Sequence, residues 1–203
     1  MKKPPVERRS SELIMKLPED YQRPERRTDP GAPAATMLDA ATGLYTMAAL
    51  TEFIQYEIDG SAQTLLNELY VTPLCVIAVE VAEGGGGAAL RRKAAEVLRE
   101  AGRRATRAAD RVARDGERLV VLLRRTLAAN VRDHYAARLT SHVEEQAQSA
   151  GVKVGVVAGI SSLVEHVARG PDDLVRKAMR ALEVARAGPE AVVIYDFRTM
   201  PLG

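Results

Sequence analysis

The residues that could do chemistry in this chain are mostly arginines, through their side chains, and glycines, through their open backbone. Gly84 to Gly87 follow an apolar run and precede a helical pattern, a placement in which open backbone N–H groups can receive an anion. No Gly-Lys-Ser/Thr and no spaced dinucleotide fingerprint accompanies them, so the segment reads as a connector. Arg99, Arg103 and Arg107 recur at four-residue intervals, with Arg91, Arg92, Lys93 and Arg104 beside them. They form a concentrated basic surface laced with Glu96 and Glu100, which suits a solvated helix face or a partner contact. His134, His142 and His166 have neither metal-ligand spacing nor a partnered nucleophile and receive no role. Cys75 is the single cysteine, which excludes an internal disulfide framework; inside an apolar run it reads as a core thiol.

The elements that must position these residues follow from periodicity. Helical spacing from Thr46 to Tyr70 is interrupted at Asp59-Gly60-Ser61 and predicts two helical pieces. Leu74 to Val81 predicts a strand buried on both faces. Ala88 to Thr106 predicts an amphipathic helix. Asp115-Gly116 between two strand-like runs predicts a hairpin with a type I′ turn. Leu127 to Ala150 predicts a helix, Val152 to Ile160 a strand, Pro171 to Ala187 a helix ended by Gly188-Pro189, and Ala191 to Tyr195 a closing strand. The order is α/β, and the hairpin makes the sheet mixed.

Composition bounds what this fold can serve. The 203 residues are 46% hydrophobic and 28% charged, enough for one domain with a real core and an appendage. Residues 1–36 hold six of the ten prolines and read as a flexible Pro/Arg-rich tail, with an apolar island at 11–17 able to dock on a partner; residues 37–203 read as the domain. The net charge of +2 and the absence of Trp argue against nucleic acid. No apolar run reaches the roughly 20 residues of a membrane helix, and a cytoplasmic location is expected.

The residues from about Leu38 to Asp196 resemble the GGDEF domain of diguanylate cyclases, which join two GTP into cyclic di-GMP. Asp39-Ala-Ala-Thr-Gly-Leu-Tyr45 is similar to the opening Asp-x-Leu-Thr-Gly-Leu signature, Val76 to Glu83 to the first core strand with its metal-binding acid, and Ala109 to Leu123 to the strand, signature turn and strand. Asp172 to Gly188 with Val192 to Asp196 resembles the last helix and strand. The resemblance implies a nucleotidyl cyclase palm-like mixed sheet flanked by helices; the N-terminal tail, expected to be disordered from its prolines, lies outside it.

Departures from the family pattern fall on its catalytic positions. Glu80 stands at the metal-binding acid and Ala82 at the second acid of that strand. Asp115-Gly116-Glu117-Arg118 replaces the glycine-rich acidic turn, and Arg186 replaces a lysine of the last helix. A Glu80/Glu117 pair would offer the hard oxygen ligands magnesium takes, but a two-residue turn with Arg118 has little capacity for Mg-GTP, and no cofactor is expected. Arg107-Ala-Ala-Asp110 matches the RxxD inhibitory motif that binds cyclic di-GMP in the family; a local Arg/Asp surface pair accounts for it equally well. The resemblance thus implies a degenerate, noncatalytic signalling domain working through a protein partner, with a cyclic di-GMP receptor and a weak residual cyclase as alternatives.

Overall fold

The computed structural model describes residues 37–68, 72–82, 88–166 and 168–202. The expected tail, its apolar island and the Gly84–Gly87 connector lie outside them. A six-stranded mixed sheet has the order β1-β3-β4-β2-β5-β6, where β1 is Tyr45–Thr46, β2 Leu74–Ala82, β3 Arg111–Asp115, β4 Arg118–Arg124, β5 Gly155–Ser162 and β6 Val192–Ile194. Central β2 is antiparallel to both β4 and β5, while β1 and β6 run parallel to β3 and β5.

Alternation along β2 divides the core. Cys75, Ile77 and Val79 face one side with α2 (Ala88–Ala105) and α4 (Ala137–Ala150), and Leu74, Val76 and Ala78 face the other with α1 (Met47–Glu68) and α5 (Pro171–Ala187). Every residue from Leu74 to Val79 is buried, as the continuous apolar run requires of a central strand. Where β5 crosses α5, Gly159 lets two backbones touch: a Cβ there would lie 2.1 Å from the Leu182 nitrogen and 2.2 Å from the Ala178 oxygen. Burial pushes the Cys75 thiol up to about 12, and its Sγ donates to the Thr126 carbonyl at 3.1 Å, so it is a core thiol.

Four local expectations are corrected. The two helical pieces are one helix, α1, running through Asp59-Gly60-Ser61. An interior glycine costs a helix about 1 kcal/mol, and this is offset by burial of Leu50, Phe53 and Ile54 and by a buried Ser61 that bonds the Thr72 carbonyl. The hairpin turn is displaced by one residue. Asp115 pairs with Arg118, so the two-residue loop is Gly116-Glu117, and Gly116 (φ +61°) is the one loop residue with positive φ. Glycine at the first loop position is the type II′ pattern, so the type I′ expectation fails because Asp115 is still in the ladder. Finally, the helix from Leu127 to Ala150 is not uniform: α3 (Ala128–Asn130) passes through a π-helical stretch, Val131–Ala136, into α4. The strand expected at Val152 begins only at Gly155.

Candidate functional site

Glu80 ends the inward run of β2 on the α1/α5 face. The β2–β4 register, which pairs Val79 with Leu119, continues to bring Glu80 opposite Arg118. Arg118 Nε donates to Glu80 Oε2 at 2.9 Å, and Arg186 Nη1 of α5 lies 3.8 Å from Glu80 Oε1. Each carboxylate oxygen thus faces its own guanidinium. Arg118 Nη1 is also 3.9 Å from Asp115 Oδ2. Ala82 lies two residues along the same face of β2, and Glu117 is exposed at the turn. Among the described residues, no group of three or more His, Cys, Asp or Glu side chains could hold a metal ion. The structure therefore brings Glu80, Asp115, Arg118 and Arg186 together and leaves Glu117 outside that cluster.

The Asp39 signature is a structural turn. Asp39 Oδ1 accepts from the Thr42 N–H at 2.8 Å and the Thr42 hydroxyl at 2.7 Å, which holds its carboxyl below the usual carboxylate range. Arg114 of β3 reaches Asp39 Oδ2 at 3.2 Å, and Arg103 of α2 donates to the Thr42 carbonyl. These contacts tie β3 and α2 to the segment that enters β1. Arg99, Arg103 and Arg104 pair with Glu96 and Glu100 along the exposed face of α2, and Arg91, Arg92 and Lys93 stand exposed near its start. The helix stops at Ala105, so Arg107 belongs to the following turn rather than to that face.

Arg107 and Asp110 do meet. Arg107 Nε donates to Asp110 Oδ2 at 3.0 Å, while Asp110 Oδ1 accepts the backbone N–H of Arg124 at 3.0 Å. The Asp110 side chain is 1% exposed and that of Arg107 58%. Asp110 is thus occupied on both oxygens, fixing the end of β4 and the direction of Arg107. Beside them lies a cavity of about 320 Å³ that includes Arg107, Arg125, Asn130, His134, Tyr135 and Arg138 in its lining, and next to it another of about 280 Å³ lined by Arg107, Ala109, Asp110, Arg124 and Arg125. The larger lies within the range of ligand-binding cavities.

Arg138 is fixed on one wall. Its Nε and Nη2 both donate to the Ala105 carbonyl, at 3.1 and 2.7 Å, satisfying the C-terminal end of α2, and it lies over the Tyr135 ring. Burial pushes the Tyr135 hydroxyl up to about 12, and its oxygen lies 2.9 Å from Thr106 Oγ1. The π-helical stretch presents His134 and Tyr135 to the cavity together. Arg125, His134 and Arg138 were not among the candidates from sequence, and the one signal they gave was the i, i+4 spacing of His134 and Arg138.

No protein-family model matches this sequence, and comparison with curated proteins gives no match. Solved structures do match. The GGDEF domain of PA1120 (YfiN or TpbB) from Pseudomonas aeruginosa aligns with a TM-score of 0.60 and 21% identity, covering 76% of this chain and 98% of that one. For the GGDEF domain of DgcB from Caulobacter crescentus, in complex with c-di-GMP, the values are 0.56 and 13%, over 80% and 98%. Diguanylate cyclase SiaD in complex with its activator SiaC, from Pseudomonas aeruginosa, gives 0.58 and 18% over 79% of this chain and 62% of that one. No helix among the described residues is long and apolar enough to cross a membrane. With its mixed sheet, two helical layers and strand order, the chain has the fold of a GGDEF domain.

Proposed function

We propose that this chain is a noncatalytic GGDEF-fold domain that regulates or scaffolds by binding. The observation that carries this reading is the pairing of Glu80 with Arg118 and Arg186. A divalent ion needs several carboxylate or carbonyl oxygens turned toward it. Here the carboxylate at the corresponding strand position is already neutralised by permanent cations, a donor set that does not suit magnesium. With no metal to activate a 3′-hydroxyl or neutralise a triphosphate, the fold's remaining use is recognition. SiaD, crystallised with a protein activator, is an example of a cyclase that engages a partner, and this reading gives the present chain a protein partner as well. The test is incubation with GTP and magnesium or manganese. No cyclic di-GMP should form; turnover abolished by Glu80→Ala would overturn the reading and establish a weak cyclase instead.

A second reading is favoured by the arginine-lined cavity. The DgcB domain is described with c-di-GMP bound, and Arg107, Arg125 and Arg138 offer guanidinium groups suited to phosphate at one cavity of this chain. In this reading cyclic di-GMP contacts Arg107, while Asp110 holds that arginine in place. Calorimetry with cyclic di-GMP on wild type and Arg107→Ala tests it. Heat in the wild type that the variant loses supports the reading, and no heat from the wild type at about 100 μM protein removes it.

A further inference from the structure

The two cavities share Arg107 and Arg125, so these two side chains form the boundary between adjacent lobes. They are held differently. Arg107 is tethered through Nε to Asp110, whereas Arg125 is exposed and forms no hydrogen bond or ion pair among the described residues.

The backbone of Arg125 is also unusual. Its φ of +53° makes it the one non-glycine residue with positive φ among the described residues. The left-handed region crowds Cβ against the chain, and Gly or Asn occupies it at lower cost. Both neighbours are anchored. On one side the Arg124 N–H donates to Asp110 and Arg124 Nε pairs with Glu57 at 2.8 Å. On the other side the Thr126 carbonyl accepts from Cys75, and the Ala128 N–H donates to Glu165 Oε2 at 2.9 Å. The chain direction here is therefore set by residues 124, 126 and 128, and glycine at 125 would serve it better. What arginine adds is a planar fork of donors without a counter-ion, placed where both lobes meet.

We infer that Arg125 is a ligand-reading residue of this cavity pair, gripping the second phosphate of a ligand whose first phosphate is held by Arg107. The ligand class is a compound with two phosphodiester groups. This inference rests on the second reading above, in which the cavity binds such a ligand. It adds a residue absent from the RxxD motif and makes Arg125 decide between one phosphate and two.

Arg125→Gly separates this role from a structural one, because glycine keeps the positive φ and removes only the guanidinium. In calorimetry with cyclic di-GMP, Arg125→Gly should weaken binding about tenfold or more relative to wild type. Its thermal unfolding midpoint should be unchanged or raised. GMP, with a single phosphate, should bind wild type and Arg125→Gly within about twofold of each other. If Arg125→Gly loses less than about threefold in cyclic di-GMP affinity while Arg107→Ala abolishes it, the cavity reading stands and the role of Arg125 falls. If wild type itself gives no heat, both fall.

Discussion

Arg118 Nε and Glu80 Oε2 lie 2.9 Å apart across the β2–β4 ladder, so an arginine from the hairpin rests on the one acid at the end of the central strand. Arg118→Ala leaves Glu80 with Arg186 alone, and because both side chains keep some exposure the loss in stability should stay within about 1 kcal/mol. Arg118→Glu sets two carboxylates against each other and should cost more than the alanine change. Urea unfolding of the two variants checks this ordering. An alanine variant at least as destabilised as the glutamate variant would mean that packing, rather than charge, holds the pair.

At Gly159 the expected damage is larger. An added Cβ meets the α5 backbone at Leu182, Ala178 and Ala181, which cannot rotate away, so Gly159→Ala should destabilise by about 3 kcal/mol or more. Gly102 offers the contrast: its Cβ would meet Leu119 Cδ1 at 2.4 Å, a side-chain end able to change rotamer. Gly102→Ala should therefore cost clearly less in the same denaturation experiment.

Asp110 and Arg107 should separate in stability although they form one ion pair. Asp110→Ala removes a buried side chain and leaves the partly buried Arg124 N–H without its acceptor, and should cost about 1–3 kcal/mol. Arg107→Ala unpairs Asp110 Oδ2 but keeps the Arg124 contact, and water can take the place of the mostly exposed guanidinium, so its cost should be smaller, about 1 kcal/mol or less. Equal losses in the two variants would contradict the structural role given to Asp110.

Mild acid should loosen the β5–α5 connection. His166 Nδ1 accepts the Ser162 N–H at 2.8 Å, the ring packs edge-on to Tyr195, and burial lowers its pKa from the ordinary histidine value. Glu165 and Asp196 favour the charged form and Lys177 opposes it. With the folded pKa depressed, the fold prefers neutral histidine: its contribution is present above about pH 6.5 and is lost as pH falls through the folded value. Thermal midpoints of wild type should drop below pH 6.5 more steeply than those of His166→Gln. Parallel curves would remove His166 as the cause.

Asp173 acts at lower pH. Burial would raise its pKa, but hydrogen bonds from Lys177, the Arg169 N–H and Arg176 outweigh burial and hold it at about 2. A depressed carboxylate contributes stability above its unfolded value near 4 and loses it as pH falls toward 2. Asp173→Asn should therefore flatten the denaturation midpoint between about pH 4 and pH 2.

The order of elements was legible because it rests on period. The run from Leu74 to Val81 has strand length and no polar break, and α2 and α5 carry clean apolar stripes. Features set by tertiary context were not legible. Gly60 reads as a break until Ser61 and the buried face of α1 are seen to hold the helix together. Asp115-Gly116 reads as the turn because sequence does not reveal that Asp115 still pairs with Arg118. At the site, Arg118 was legible as a cation in an acidic position, but its partner required the ladder register. Arg125 gave no signal at all, since arginine is not a residue that advertises a left-handed backbone, and Arg138 reaches the same cavity from a distant helix only after α3 and α4 are joined.

The π-helical stretch has a consequence for how the chain tolerates shortening. It carries one residue more than a regular turn and lets Tyr135 and Ala136, adjacent in sequence, both be buried. Excising a single residue there would return the segment to ordinary winding while leaving Leu139, Val143 and Ala147 free to keep their seats against the sheet. The same excision within α4 itself would swing every later side chain by about 100°. Between Val131 and Ala136, then, the helix holds a spare unit of length, and giving it up would cost the cavity its wall before it cost the domain its core.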